Sequence, residues 1–89
     1  MWQVFLVNKA RKDLHSLEPQ FSQRIIAKLE ETAANPEKHF ERLSNSPYWK
    51  LRIGDYRAIA VLDFGKNLVE VRRIDHRGKI YKHLKKGRI

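Results

Sequence analysis

Two periods organise the apolar positions of this chain. Residues 2–7, "WQVFLV", form a short β-rich run. Asn8 follows it and is positioned to cap a helix. In "KARKDLHSL", residues 9–17, Ala10, Leu14 and Leu17 fall at helical spacing, with Lys9, Arg11 and Lys12 turned to water. Pro19 suits the first turn of a second helix, in which Phe21, Ile25, Leu29 and Ala33 recur every four residues with Ile26 on the flank. Asn35-Pro36 ends that helix, because a residue before proline resists helical geometry. Residues 36–47 hold two prolines and read as a loop with one helical turn near 37–41.

From residue 48 the period changes to two. "YWKLRI" sets Trp49, Leu51 and Ile53 on one face and Lys50 and Arg52 on the other. Gly54-Asp55 predicts a tight turn, "YRAIAVLDF" a second strand, "FGKN" another turn, and "LVEVRRI" a third strand. Strands joined by such short turns are antiparallel neighbours. By the same alternation, the adjacent Arg72 and Arg73 point to opposite faces, and one of them can pair with Glu70 or Asp75. The tail, 77–89, is open between a strand, a helical turn and a flexible basic end. The predicted fold is α+β: an N-terminal strand and a helical hairpin packed on one face of a small antiparallel β-sheet. The other face is left open and carries the alternating cations.

Composition sharpens this picture. The chain has 89 residues, so 1–89 reads as a single domain with one core. It has no cysteine, which removes disulfides, thiol catalysis and zinc fingers. No apolar run is long enough to cross a bilayer, so a soluble, cytoplasmic protein without a membrane partner is expected. The net charge is +9 and is uneven: residues 1–49 carry seven basic and six acidic side chains, residues 50–89 twelve and four. A basic face concentrated in one part of a fold points to a polyanion, most often nucleic acid.

The candidate chemistry is correspondingly narrow. His15, His39, His76 and His83 make no metal-binding pattern, so neither metal nor cofactor is expected. No nucleophile elbow or phosphate-gripping glycine loop is present. What remains is cations with tyrosine and histidine, a set suited to RNA cleavage by its own 2′-hydroxyl. Guanidinium and ammonium groups stabilise the added charge on phosphorus. A lysine whose pKa is lowered by neighbouring cations can take the proton. Lys50 and Arg52 share a face, Arg57 sits across the turn from them, and "DHRGKIY" adds His76 and Arg77, both able to act on phosphate. Tyr81 is open between a role at the site and one in closing the sheet.

These motifs, with "NKARKDLHSL" and the helix ending "NP", resemble the RelE/ParE superfamily of toxin–antitoxin toxins along nearly the whole chain, and its RelE branch more closely. "KLRIGDYR" followed by an apolar strand is the most specific part, and "RRIDHRGKIY" is similar to the family's closing motif. The resemblance implies a fold similar to microbial ribonucleases. It also implies a metal-independent, ribosome-dependent endoribonuclease, an mRNA interferase that cuts mRNA in the A site and inhibits translation. A cognate acidic RelB-like antitoxin would hold it in a hetero-oligomer. Carried over by position, Lys50 becomes proton acceptor, Arg52 transition-state clamp, Arg57 phosphate stabiliser and Tyr81 the base-stacking tyrosine. His76 and Arg77 occupy a variable slot. Arg72, Arg73, Lys79, Lys82, Lys85 and Lys86 are expected to guide ribosomal RNA or the antitoxin. The ParE branch keeps the fold and acts on DNA gyrase. A gyrase inhibitor and a non-catalytic RNA-binding module are the alternatives.

Overall fold

The structure, a computed structural model, describes residues 1–89. Its elements in chain order are β1 (Gln3–Leu6), α1 (Asn8–His15), α2 (Pro19–Thr32), α3 (Pro36–His39), β2 (Glu41–Arg42), β3 (Tyr48–Ile53), β4 (Tyr56–Asp63), β5 (Leu68–His76) and α4 (Arg77–Lys85). The α+β class is as expected. One sheet runs in the order β1-β5-β4-β3-β2, and its meander is antiparallel. The sheet as a whole is mixed, because β1 joins the far edge parallel to β5. No helix is long and apolar enough to cross a membrane.

The core lies between the sheet and the helical hairpin. Ala10 of α1 and Ile25 and Leu29 of α2 pack against Leu51, Ile53, Ala58, Ala60, Leu62, Val69, Val71 and Ile74. Each large aliphatic side chain so buried contributes about 1.5–3 kcal/mol. Pro19 opens α2 as the sequence predicts, whereas α1 is preceded by Val7, with no side-chain cap and Asn8 already inside the helix. Gly54 takes φ +58° in the two-residue β3–β4 loop, the left-handed region that glycine reaches without strain.

The structure corrects two sequence expectations. The second face of the sheet is not left open: the tail forms α4, which lies across β4 and β5. Ile59 and Ile80 are both fully buried yet stand apart from the main core cluster, as expected for a second apolar contact on that face. Arg72 and Arg73 also do not part to opposite faces. The β4–β5 register steps from Ala60↔Val71 to Ile59↔Arg73, leaving Arg72 as the extra residue of a β-bulge. The bulge returns Ile74 to the core three residues after Val71, and both arginines reach the C-terminus. Arg72 Nη2 donates to the Ile89 carbonyl at 3.2 Å and Arg73 Nη1 to that of Arg88 at 2.9 Å.

Asp13 of α1 braces the bulge. Its Oδ2 accepts from the Ile74 backbone N–H at 2.9 Å and from Arg73 Nε at 2.8 Å, and its Oδ1 from Arg73 Nη2 at 3.2 Å. The Asp13 and Arg73 side chains retain only 17% and 13% of their exposure, so this pair is largely shielded from water. Asp13→Ala would strand a guanidinium and a backbone N–H, and a loss of about 3 kcal/mol is expected. Urea unfolding measures it. Asp13→Asn, which keeps an acceptor, should lose less, and equal stability of all three proteins would contradict the brace.

Candidate functional site

Strand parity and register assemble the site. Lys50 and Arg52 project from the same face of β3, and Arg57 on β4 is the direct cross-strand partner of Arg52. Like charges placed directly opposite destabilise a sheet. Here Arg57 turns into its own hairpin, where Nη1 donates to the carbonyls of Gly54 and Tyr56, both at 2.8 Å. It is 8% exposed, and Arg52 is exposed and without a partner.

The carboxylate that could neutralise Arg57 is engaged elsewhere. Asp75 is the cross-strand neighbour of Arg57 on its other side. Its Oδ2 contacts His83 Nε2 at 2.9 Å and its Oδ1 accepts the His76 N–H at 2.7 Å. Arg57 forms no ion pair with it. Arg73 Nη2 lies 3.4 Å from the same His83 nitrogen. A carboxylate can only accept, so the short contact to Asp75 needs the proton on Nε2, and the guanidinium, which can only donate, then makes no hydrogen bond to that nitrogen.

Helix α4 sets the other boundary. At about 100° per residue, Tyr81 and His83 lie on opposite flanks of a helix whose Ile80 points at the sheet. Tyr81 reaches towards β3, where Lys50 Nζ and the tyrosine hydroxyl are 3.3 Å apart and the ammonium stands 5.8 Å from the ring centroid. Lys50 also meets Glu41 Oε1 at 3.3 Å, since β2 pairs Glu41 directly with Lys50. The expectation of a lysine pKa lowered by crowding is not met. The Tyr81 hydrogen bond raises the Lys50 pKa above its ordinary value. Partial burial works against this and Glu41 supports it.

The predicted residues therefore divide. Lys50, Arg52, Arg57 and Tyr81 share one face. His76 is the cross-strand partner of Tyr56 on the core side, its ring 5.8 Å from the Tyr56 ring, and its Nδ1 caps α4 by accepting the Gly78 N–H at 3.4 Å. Arg77 opens α4, its backbone N–H bonded to the Asp55 carbonyl and its side chain exposed and unpaired. Arg72 is paired with Glu70 at 2.8 Å and Arg73 with Asp13, so both serve inside the fold. Lys79, Lys82 and Lys85 on α4 and Lys86 just after it are exposed and free of ion pairs, and three of the four border a small cleft with Asp75, His83 and Arg88. No group of side chains is arranged to hold a metal ion.

Sequence reasoning missed Glu41, Asp13 and His83 as partners of these residues. One usable signal was the three-residue step from Val71 to Ile74, which marks the bulge. The Asp13–Arg73 contact spans 60 residues and left no local trace.

Among solved structures, the RelBE2 toxin–antitoxin complex of Mycobacterium tuberculosis is 25% identical over 85% of this chain and 98% of that chain, with a TM-score of 0.78. An archaeal RelE–RelB complex from Pyrococcus horikoshii is 21% identical over 88% and 97%, with a TM-score of 0.74. The isolated E. coli RelE toxin is 19% identical over the full length of both chains, with a TM-score of 0.71. No curated protein matches the chain in sequence. The family model described as "ParE toxin of type II toxin-antitoxin system, parDE" matches residues 4–81. The chain therefore belongs to the ParE toxin family within the RelE/ParE superfamily, and is a toxin of a type II toxin–antitoxin system.

Proposed function

We propose that this toxin is of RelE type: a metal-independent endoribonuclease that cleaves mRNA in the ribosomal A site and thereby inhibits translation in the cytoplasm. One observation carries the reading. Arg52 and Arg57 are direct cross-strand neighbours, Arg52 exposed and Arg57 buried beside it, with no carboxylate neutralising either one. Such a pair is unfavourable until an anion arrives, and a phosphorane with its added charge is the anion it would favour most.

In this reading Arg52 and Arg57 clamp the phosphate. Arg57 exchanges its two neutral carbonyl partners for the charged non-bridging oxygens. Lys50 acts as a fixed cation rather than as the base, because its interactions favour the ammonium form, so the 2′-hydroxyl proton passes to solvent water and the departing 5′-oxygen takes a proton from solvent. Tyr81, 46% exposed, offers its ring to a nucleobase. His76 is taken up by the cap of α4 and the Tyr56 ring, and Arg77, exposed at the turn end of this row, is left to contact RNA outside the reacting bond. The lysines of α4 extend the positive surface towards ribosomal RNA. An acidic RelB-like antitoxin is the expected inhibitor, in line with the toxin–antitoxin complexes formed by the similar proteins. The ParE description of the matching family keeps a gyrase inhibitor as the second reading. It requires no use of the Arg52–Arg57 pair.

Primer extension on programmed ribosomes tests the first reading. The wild-type protein should produce new 5′ ends in the A-site codon, and Lys50→Ala or Arg57→Ala should lower the rate about 10²–10³-fold. Supercoiling inhibition without mRNA cuts would establish the second reading instead. Lys50 should also resist acetylation more than exposed lysines do, and Tyr81→Phe should accelerate its modification by removing the largest cause of the raised pKa. Because the folded pKa lies above the ordinary 10.5, the stability that Lys50 adds is complete below that pH. It fades as pH climbs through the folded value. Finally, His83→Ala should release Asp75 towards Arg57 and slow cleavage, while adding Asp75→Asn should restore it. A double variant as slow as the single one would show that His83 acts in some other way.

A further inference from the structure

Strand β2 pairs only with Trp49 and Lys50, so β3 beyond Leu51 has no outer neighbour. Helix α2 hangs beside this bare edge, leaving an open cleft of about 380 Å³ between them. Three cations line it: Arg24 and Lys28 from α2 and Arg52 from β3. Arg24 is exposed and forms no ion pair or side-chain hydrogen bond. Its guanidinium nevertheless has a defined seat. A Cβ on Gly54 would meet Arg24 Nη1 and Nη2 at 3.2 Å and Cζ at 3.3 Å, so the planar group lies over the glycine, which leaves room for it. Gly54 thus sits between two guanidiniums, with Arg24 over its α-carbon and Arg57 bonded to its carbonyl oxygen at 2.8 Å.

We propose that Arg24 and Arg52 form a phosphate subsite for a single-stranded RNA backbone, adjacent to the Arg52–Arg57 pair. The subsite extends the bound strand around the β3–β4 turn onto α2. It rests on the RNA-cleaving reading only for the identity of the strand. Planar guanidiniums match phosphate oxygens two at a time, which favours phosphate over a diffuse counter-ion. The cleft has no aromatic residue and only Ala27 and Ile53 as apolar lining, so it lacks the anchors that dominate protein interfaces. Lys28 is held by Glu31 at 3.2 Å, and that carboxylate opposes an incoming phosphate. The site is therefore sensitive to substitution in both directions.

The test is fluorescence anisotropy of a labelled single-stranded RNA oligonucleotide against the full chain over a series of salt concentrations, beside ribosomal cleavage assays. Arg24→Ala should weaken binding roughly ten-fold at low salt. It should flatten the dependence of log K on log salt by about 0.7, the value for one phosphate on a single strand. Glu31→Gln should strengthen binding, and Lys38→Ala, on α3 away from the cleft, should change nothing. Wild-type protein without salt-dependent RNA binding, or Arg24→Ala with unchanged affinity and slope, overturns the subsite even if mRNA is still cut. Arg24-dependent RNA binding without any cleavage supports the subsite and removes the nuclease reading. Poly-glutamate binding that depends on Arg24 while RNA binding does not would assign the cleft to an acidic protein, against the proposal.

Discussion

The bulge at Arg72 is the constraint on which the rest of the site depends. Strand β5 is long and crosses the whole sheet, and strict alternation would carry Ile74 out of the core that Val69 and Val71 occupy. One extra residue resets the phase. The reset returns Ile74 to the core, places Asp75 opposite Arg57, and directs Arg72 and Arg73 to the chain end. It also leaves a backbone N–H beyond the reach of β1, which ends at Leu6, and Asp13 of α1 supplies the missing acceptor. One irregularity thereby links α1, the central sheet, α4 and the C-terminal residues.

The electrostatics of the site follow from where the carboxylates go. Ten acidic residues serve nineteen cations, so pairing is selective. Asp13 is committed to Arg73 and Glu70 to Arg72, while Asp75 turns to His83 and a backbone N–H. The arginines nearest the bulge are thus neutralised, and Arg52 and Arg57 are not. The basic patch therefore has internal structure. Arg72 and Arg73, with acidic partners, stabilise the fold, and Arg52 and Arg57, without them, define where an anion gains most.

The meander and the helical hairpin were legible because both faces of each repeat at a regular period. Trp49, Leu51 and Ile53 or Ile25 and Leu29 declare an inside without help from distant residues. Helix α4 was not legible for the opposite reason. Its only fully buried residue is Ile80, and a single apolar position sets no period. A hint did exist in the unbroken apolar run 58–62, "AIAVL", since a strand covered on both faces loses its alternation. The site divided in the same way. Lys50, Arg52 and Arg57 followed from parity and a two-residue turn. The pairing of an arginine with Glu70 was also legible, since Arg72 makes it within one strand, whereas the role of Arg73 was not, because a bulge and a partner 60 residues away in sequence decided it.

Helix α4 joins these features into one arrangement. It bears on the sheet through Ile80, and its two flanks act on two different charges. On one side the Tyr81 hydroxyl sits at the Lys50 ammonium and favours its charged form. On the other, His83 holds Asp75 away from the arginine across the strand. Neither contact is independent of the helix position, because residues on opposite flanks of a rigid helix move together. Both contacts therefore depend on the same seat of α4 on β4 and β5. Ile80, fully buried where α4 meets the sheet, thus anchors the one helix that makes both contacts.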